Sequence, residues 1–172
     1  MKYHILLRAT HWLMAICILG LIAIGWYMVG LIPEQGKYTF YDWHKTFGVL
    51  IILLFPLRVI LRRYTSIPPL PEGIDKPTKK LSHIAHKVLY FLMITIPIVG
   101  YIYSSSGGYD VPFFGFIVPN VIGKSEWLFA LSREVHWISA YLLLILVILH
   151  VAAVIKHRFF EGKENDVLNR ML

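Results

Sequence analysis

Four apolar runs alternate with short polar stretches along the chain, and residues 12–31, 46–61, 84–103 and 135–155 hold only two Asp, Glu, Lys or Arg side chains between them, Arg58 and Lys87. Runs of this length cross about 30 Å of hydrocarbon as helices, at about 1.5 Å of rise per residue. Pro56 and Pro97 sit inside the second and third runs. Each removes an internal hydrogen bond and should bend its helix unless a neighbour satisfies the freed carbonyl. Arg58 is expected to snorkel toward the nearer headgroups. The pattern predicts a single domain over residues 1–172, an all-α integral membrane four-helix bundle. Residues 104–133, with Gly107-Gly108, Pro112 and Pro119 around an apolar stretch, are too broken for a fifth span and should lie over the bundle end as a lid. The polar tail from Phe159 ends in Val167–Leu172, which reads as an interfacial helical turn.

Composition excludes an ordinary water-soluble domain, because 57% of the 172 residues are hydrophobic, 16% are charged and the mean hydropathy is +0.62. A net charge of +7 raises the question of nucleic acid. The bases are confined to connections between apolar runs, however, so they read as topology signals. Thirteen Lys and Arg fall in the N-terminal segment, between Arg58 and Lys87 and in the tail, against four on the other face, Lys37, Lys45, Lys124 and Arg133. By the positive-inside rule both termini are expected in the cytoplasm. The first run is too long for a secretory signal and no A-x-A-like cleavage site follows it. Cys17 is the only cysteine, which leaves no disulfide framework, no thiolate zinc site and no C-x-x-C-H for covalent haem.

Eight histidines in so apolar a chain require partners, since an unpaired imidazole in a membrane helix is costly. His11 opens the first span, His44 opens the second, and His136 and His150 bracket the fourth. The last two point the same way, because 14 residues are within about 40° of four full turns, and they stand about 21 Å apart along the axis. Topology then places His11 and His150 together toward the cytoplasm and His44 with His136 toward the outside. Two facing pairs at two depths suit bis-imidazole ligation of two b-type haems. Gly48, one turn after His44, leaves a flat helix surface against which a porphyrin can lie. A multi-ligand metal site would need three or four donors converging at one depth, and a purely interfacial role suits any one of these histidines better than four in register.

His83 and His86 form H-x-x-H at the start of the third span and stand as alternative ligands, ranked below the set of four because His11 competes for His150. His86 and His157 are also candidates to hydrogen-bond a quinone headgroup, the other reading being interfacial polar residues. Arg8 and Arg133 each precede a candidate ligand by three residues and suit either a haem propionate or a lipid headgroup. Trp12, Trp43 and Trp137 read as an aromatic belt.

Over essentially its whole length the chain resembles the bacterial cytochrome b561 family of small di-haem membrane cytochromes. The resemblance rests on His11-Trp12, on His44 opening span two, and on the stretch Leu81-Ser-His-Ile-Ala-His-Lys-Val-Leu-Tyr90. His136 and His150 in span four and Leu168-Asn-Arg-Met171 in the tail complete it. It implies a bacterial inner-membrane protein carrying two haems b, with His44 and His136 as one ligand pair and His11 and His150 as the other. It further implies superoxide oxidation at the outer face and reduction of ubiquinone. Lys45 and Arg133, which flank outer ligands, are candidates to steer the anion. The outer connections sum to −1, so any steering has to be local. A second resemblance, to the b-type anchor subunits of hydrogenases and formate dehydrogenases, implies a redox protein as electron donor in place of superoxide. A haem-free transporter or scaffold, the remaining class, predicts a colourless protein.

Overall fold

The computed structural model describes residues 1–30 and 36–172, so the expected end of the first span at Leu31 lies outside the described residues. Four helices are each long and apolar enough to cross a membrane: α1 Ile5–Gly30, α2 Lys37–Tyr64, α3 Lys76–Ser106 and α4 Glu126–Phe159. Helices α2, α3 and α4 each contain their expected apolar run and extend beyond it, and α1 begins seven residues before its run, because a helix need not stop where the hydrocarbon does. Helix α3 starts at Lys76, where the Asp75 side chain caps Thr78 N–H at 3.3 Å and Pro77 occupies the first turn. The Thr78 hydroxyl, and after it the Thr78 N–H, hold the Asp75 carboxyl below its usual range. Helices α2 and α3 run through Pro56 and Pro97 without a break.

The connection expected over residues 104–133 is shorter than read from hydropathy. Ser125 caps Leu128 N–H and starts α4 at Glu126, well before the apolar run, so the charged turn with Arg133 and Glu134 is helical. What remains contains a hairpin, β1 Val111–Phe113 antiparallel to β2 Phe116–Val118, with Val111 opposite Val118 and Phe113 opposite Phe116. Its two turn residues, Phe114 and Gly115, have φ of 44° and 90°. Positive φ at both is the backbone of the tight turn whose twist matches paired strands. The hairpin is seated by Thr46, whose hydroxyl donates to Pro112 O at 3.0 Å, and by Tyr101, whose hydroxyl donates to Pro119 O at 2.6 Å.

Helix α1 packs along α2, α2 along α3 and α3 along α4 more extensively than any other pair of the four helices. Met14, Ile18, Ile51, Leu92 and Leu143 fill the middle of the bundle, one or more from every helix. Leu143 lies midway between His136 and His150 in the sequence of α4. An apolar plug thus separates the two bundle ends.

The tail does more than lie at an interface. It forms two short 3-10 turns, Lys163–Asn165 and Leu168–Arg170. Arg170 is 8% exposed, donates to Pro68 O and Pro69 O at 2.5 and 2.7 Å, and covers the Tyr3 ring. Tyr3 N–H donates to Arg170 O at 3.0 Å and Trp12 Nε1–H to Met171 O at 2.8 Å, so the tail clasps both α1 and the α2–α3 connection. Trp12, read from sequence as a belt residue, therefore has a protein partner. Charged-group hydrogen bonds contribute about 1.5–3 kcal/mol each. Arg170→Ala should accordingly lower the melting temperature of the purified protein by several degrees and speed amide exchange at Tyr3 and across the last ten residues; unchanged exchange there would contradict the clasp.

Candidate functional site

Helix geometry sends His11 on α1 and His150 on α4 to the bundle end that carries both termini, and His44 on α2 and His136 on α4 to the opposite end. The structure brings both pairs together, with ring centres 6.5 Å apart for His11 and His150 and 6.1 Å apart for His44 and His136. Two imidazoles on opposite sides of one metal ion stand about 6.2 Å apart, given a metal–nitrogen bond of about 2 Å and a ring about 1.1 Å from nitrogen to centre. Both pairs match that spacing. No group of three or more His, Cys, Asp or Glu side chains converges to hold a metal ion among the described residues. A side chain added at Gly48 would meet nothing within 4 Å, so the space beside this part of α2 is open.

At the far end the ring tautomers follow from backbone carbonyls. His136 Nδ1 lies 3.0 Å from Ile96 O. A carbonyl only accepts, so Nδ1 carries the proton and Nε2 keeps its lone pair for a metal. The Ile96 carbonyl is reachable because Gly100, one turn on, has no side chain to cover it; a Cβ there would come within 2.9 Å of His136 Cε1. His44 Nδ1 repeats the arrangement more loosely. It is buried beside Leu21 O without completing a hydrogen bond, and Gly25, again four residues on, would place a Cβ 3.6 Å from His44 Cε1. Composition could not reveal these two glycines as site residues; the signal is a glycine one turn beyond a carbonyl that faces a histidine on another helix.

A third histidine joins the termini end. His86 lies 5.4 Å from His150, nearly perpendicular to it, and its Nδ1 donates to Ser82 O at 2.6 Å. His83 is exposed and takes no part. His157, paired with His86 from sequence as a quinone contact, instead meets the Glu161 carboxylate at 2.5 Å. Lys156 holds the other oxygen of Glu161 at 2.9 Å, and these two partners keep the Glu161 carboxyl below its usual range.

Arg58 departs from expectation. It does not snorkel outward but is 8% exposed inside the bundle, with one guanidinium nitrogen 3.1 Å from Leu7 O and its charge close enough to be felt by His11, His86 and His150. Arg8 Nε is buried without a partner. Arg133 is exposed and paired with Glu134 at 2.8 Å. Lys45 donates to Asp110 O at 2.8 Å beneath the hairpin. A cation that sequence reasoning passed over, Lys124, packs over Gly108 and lines an outer cleft of about 460 Å³ with Tyr109, Glu126 and Phe129.

Comparison with known proteins identifies the family. The sequence model of the prokaryotic cytochrome b561 family matches residues 2–172. The chain is 33% identical to cytochrome b561 homolog 2 of Escherichia coli over 174 residues, covering 99% of this chain and 91% of the relative. It is 27% identical to the probable superoxide oxidase CybB of Yersinia pestis over 173 residues, 99% of this chain and 96% of that one. Four membrane-length helices and a match over nearly every residue place this chain in the prokaryotic cytochrome b561 family, whose members are haem b proteins of the membrane.

Proposed function

We propose that this protein is a di-haem cytochrome of the bacterial inner membrane, with both termini cytoplasmic, that oxidises superoxide at the outer face and reduces ubiquinone. The observation that carries the reading is the pair of histidine couples, 6.1 and 6.5 Å across, set at opposite ends of one bundle. Haem held in these two places supplies one-electron exchange at each face of the membrane. The residues do the rest. His44 and His136 face each other from α2 and α4, and the Ile96 carbonyl fixes the His136 ring with its Nε2 lone pair free. Met14, Ile51, Leu92 and Leu143 keep water out of the space between the ends. At the far end, Lys45 lies next to His44 in sequence and is the cation best placed to draw an anion, since Glu134 offsets Arg133.

The resemblance to the probable superoxide oxidase supports superoxide as donor. Its oxidation is balanced when two superoxide anions each give up one electron as dioxygen and one ubiquinone takes both electrons with two protons. A lipid-soluble acceptor is also supported by an aliphatic groove of about 360 Å³ between α1 and α4, lined by Leu19, Leu144, Val147, Val151 and Ile155. His86, with Nδ1 held by Ser82, would offer Nε2 to a quinone oxygen. Stopped-flow mixing with superoxide tests the donor. The haem absorbance should reduce within the mixing experiment and slow severalfold in a Lys45→Ala, Arg133→Ala double variant, more so at low ionic strength. Haem that superoxide does not reduce would remove superoxide as donor and favour a protein donor of the anchor-subunit type.

A further inference from the structure

A fixed positive charge sealed inside a membrane bundle needs an anion. Arg58 has five N–H donors and cannot be deprotonated, yet its one hydrogen bond among the described residues goes to Leu7 O. No carboxylate forms an ion pair with it among the described residues. Beside it, the Tyr90 hydroxyl is buried without a partner, its ring 5.8 Å from both the Arg58 and the Arg62 guanidinium. Arg8 Nε is likewise buried without a partner. Two helices supply groups within one turn of the termini-end histidines: on α1 Arg8 precedes His11 by three residues and Leu7 by four, and on α3 Tyr90 follows His86 by four.

We propose that Arg58, Tyr90 and Arg8 form a buried oxyanion site that receives a propionate carboxylate of the haem lodged between His11 and His150. Donors of one sign left unpaired together indicate an acceptor that the chain does not supply, and a carboxylate offers planar, charge-assisted bonds to a guanidinium. A phospholipid phosphate has the same chemistry but stays at headgroup depth, whereas Arg58 is enclosed by α1, α2 and α3. Arg133, the sequence's other propionate candidate, is exposed and already engaged by Glu134. With the site filled, Arg58 sets the electrostatic environment of one haem and not of its counterpart about 21 Å away, which makes it a positioning and tuning residue.

The inference rests on the di-haem reading, so the haem count of the wild-type protein is read first; a colourless protein overturns both. Spectroelectrochemical titration of Arg58→Gln should then show two haems retained and one shifted. Loss of the cation favours the ferric form, raising the ferric-to-ferrous ratio of the termini-end haem about tenfold at fixed poise, equivalent to about 59 mV for one electron. Arg58→Lys should recover part of the shift, and the far-end haem should not move. Tyr90→Phe, which removes a hydroxyl and little else, should shift the same haem in the same direction by about twofold and carries the test if Arg58→Gln does not fold. Two retained haems with potentials unmoved by either variant would overturn the proposal while leaving the di-haem reading intact. Loss of tightly bound phospholipid phosphate from Arg58→Gln without a potential shift would overturn it in favour of a lipid headgroup.

Discussion

Replacing His150 with alanine should remove one haem b per chain, and replacing His136 should remove the other. The geometry makes the two losses independent. The pairs stand about 21 Å apart along α4, beyond the distance at which substitutions ordinarily couple. Between them lies the apolar plug of Met14, Ile18, Ile51, Leu92 and Leu143, which no member of either pair enters. A pyridine haemochrome assay should therefore count two haems in the wild type, one in each single variant and none in the double variant. Reduced-minus-oxidised spectra of the two single variants should sum to that of the wild type. A count indifferent to both changes, or the same spectral component lost from both variants, would dissolve the pairing and return these histidines to structural roles. The size of the expected effect follows from ligation itself: an iron that loses one of its two imidazoles keeps an open position and a weakened hold on the bundle.

Much of this was legible in the sequence because the bilayer imposes coarse rules that a single chain displays. Apolar length gave four helices, and fourteen residues between His136 and His150 gave a common helix face. Topology alone then put His11 opposite His150 and His44 opposite His136, and the structure brings these couples to 6.5 and 6.1 Å. What sequence could not give depends on how helices lean on one another. Hydropathy marks where hydrocarbon ends and not where a helix ends, so the capped helical segment from Ser125 to Arg133 reads as loop. Arg58 reads as a snorkelling base near a helix end, and only the approach of α1, through the Leu7 carbonyl, encloses it. His157 carries a quinone reading until Glu161, beyond the end of α4, folds back onto it. The clasp of Arg170 onto Pro68 and Pro69 joins segments about a hundred residues apart, which no local pattern encodes.

The far-end pair offers a sharper test than ligand removal, because it leaves every ligand in place. Gly100→Ala would set a Cβ 2.9 Å from His136 Cε1 and 3.1 Å from Nδ1, closer than side chains pack. The ring cannot simply swing aside, since its Nδ1–H is held by Ile96 O one turn before the new methyl group. Either that hydrogen bond breaks or α3 retreats from α4, and in both cases the ring loses the carbonyl that fixes its tautomer and orientation. Partners of this kind are commonly worth a factor of about 10–100 in metal affinity. Gly100→Ala should thus lower haem occupancy at the far end or shift the spectrum and potential of that haem, with the termini-end haem unaffected. Gly25→Ala is the control, since its Cβ would rest 3.6 Å from His44 Cε1, an ordinary contact, and should change haem content little. Equal effects from the two glycines would mean that packing of any methyl group in the bundle, and not the hold of Ile96 on His136, governs the far-end site. A large loss confined to Gly100→Ala would identify a backbone carbonyl, exposed by the absence of one side chain, as part of what makes this end of the bundle bind.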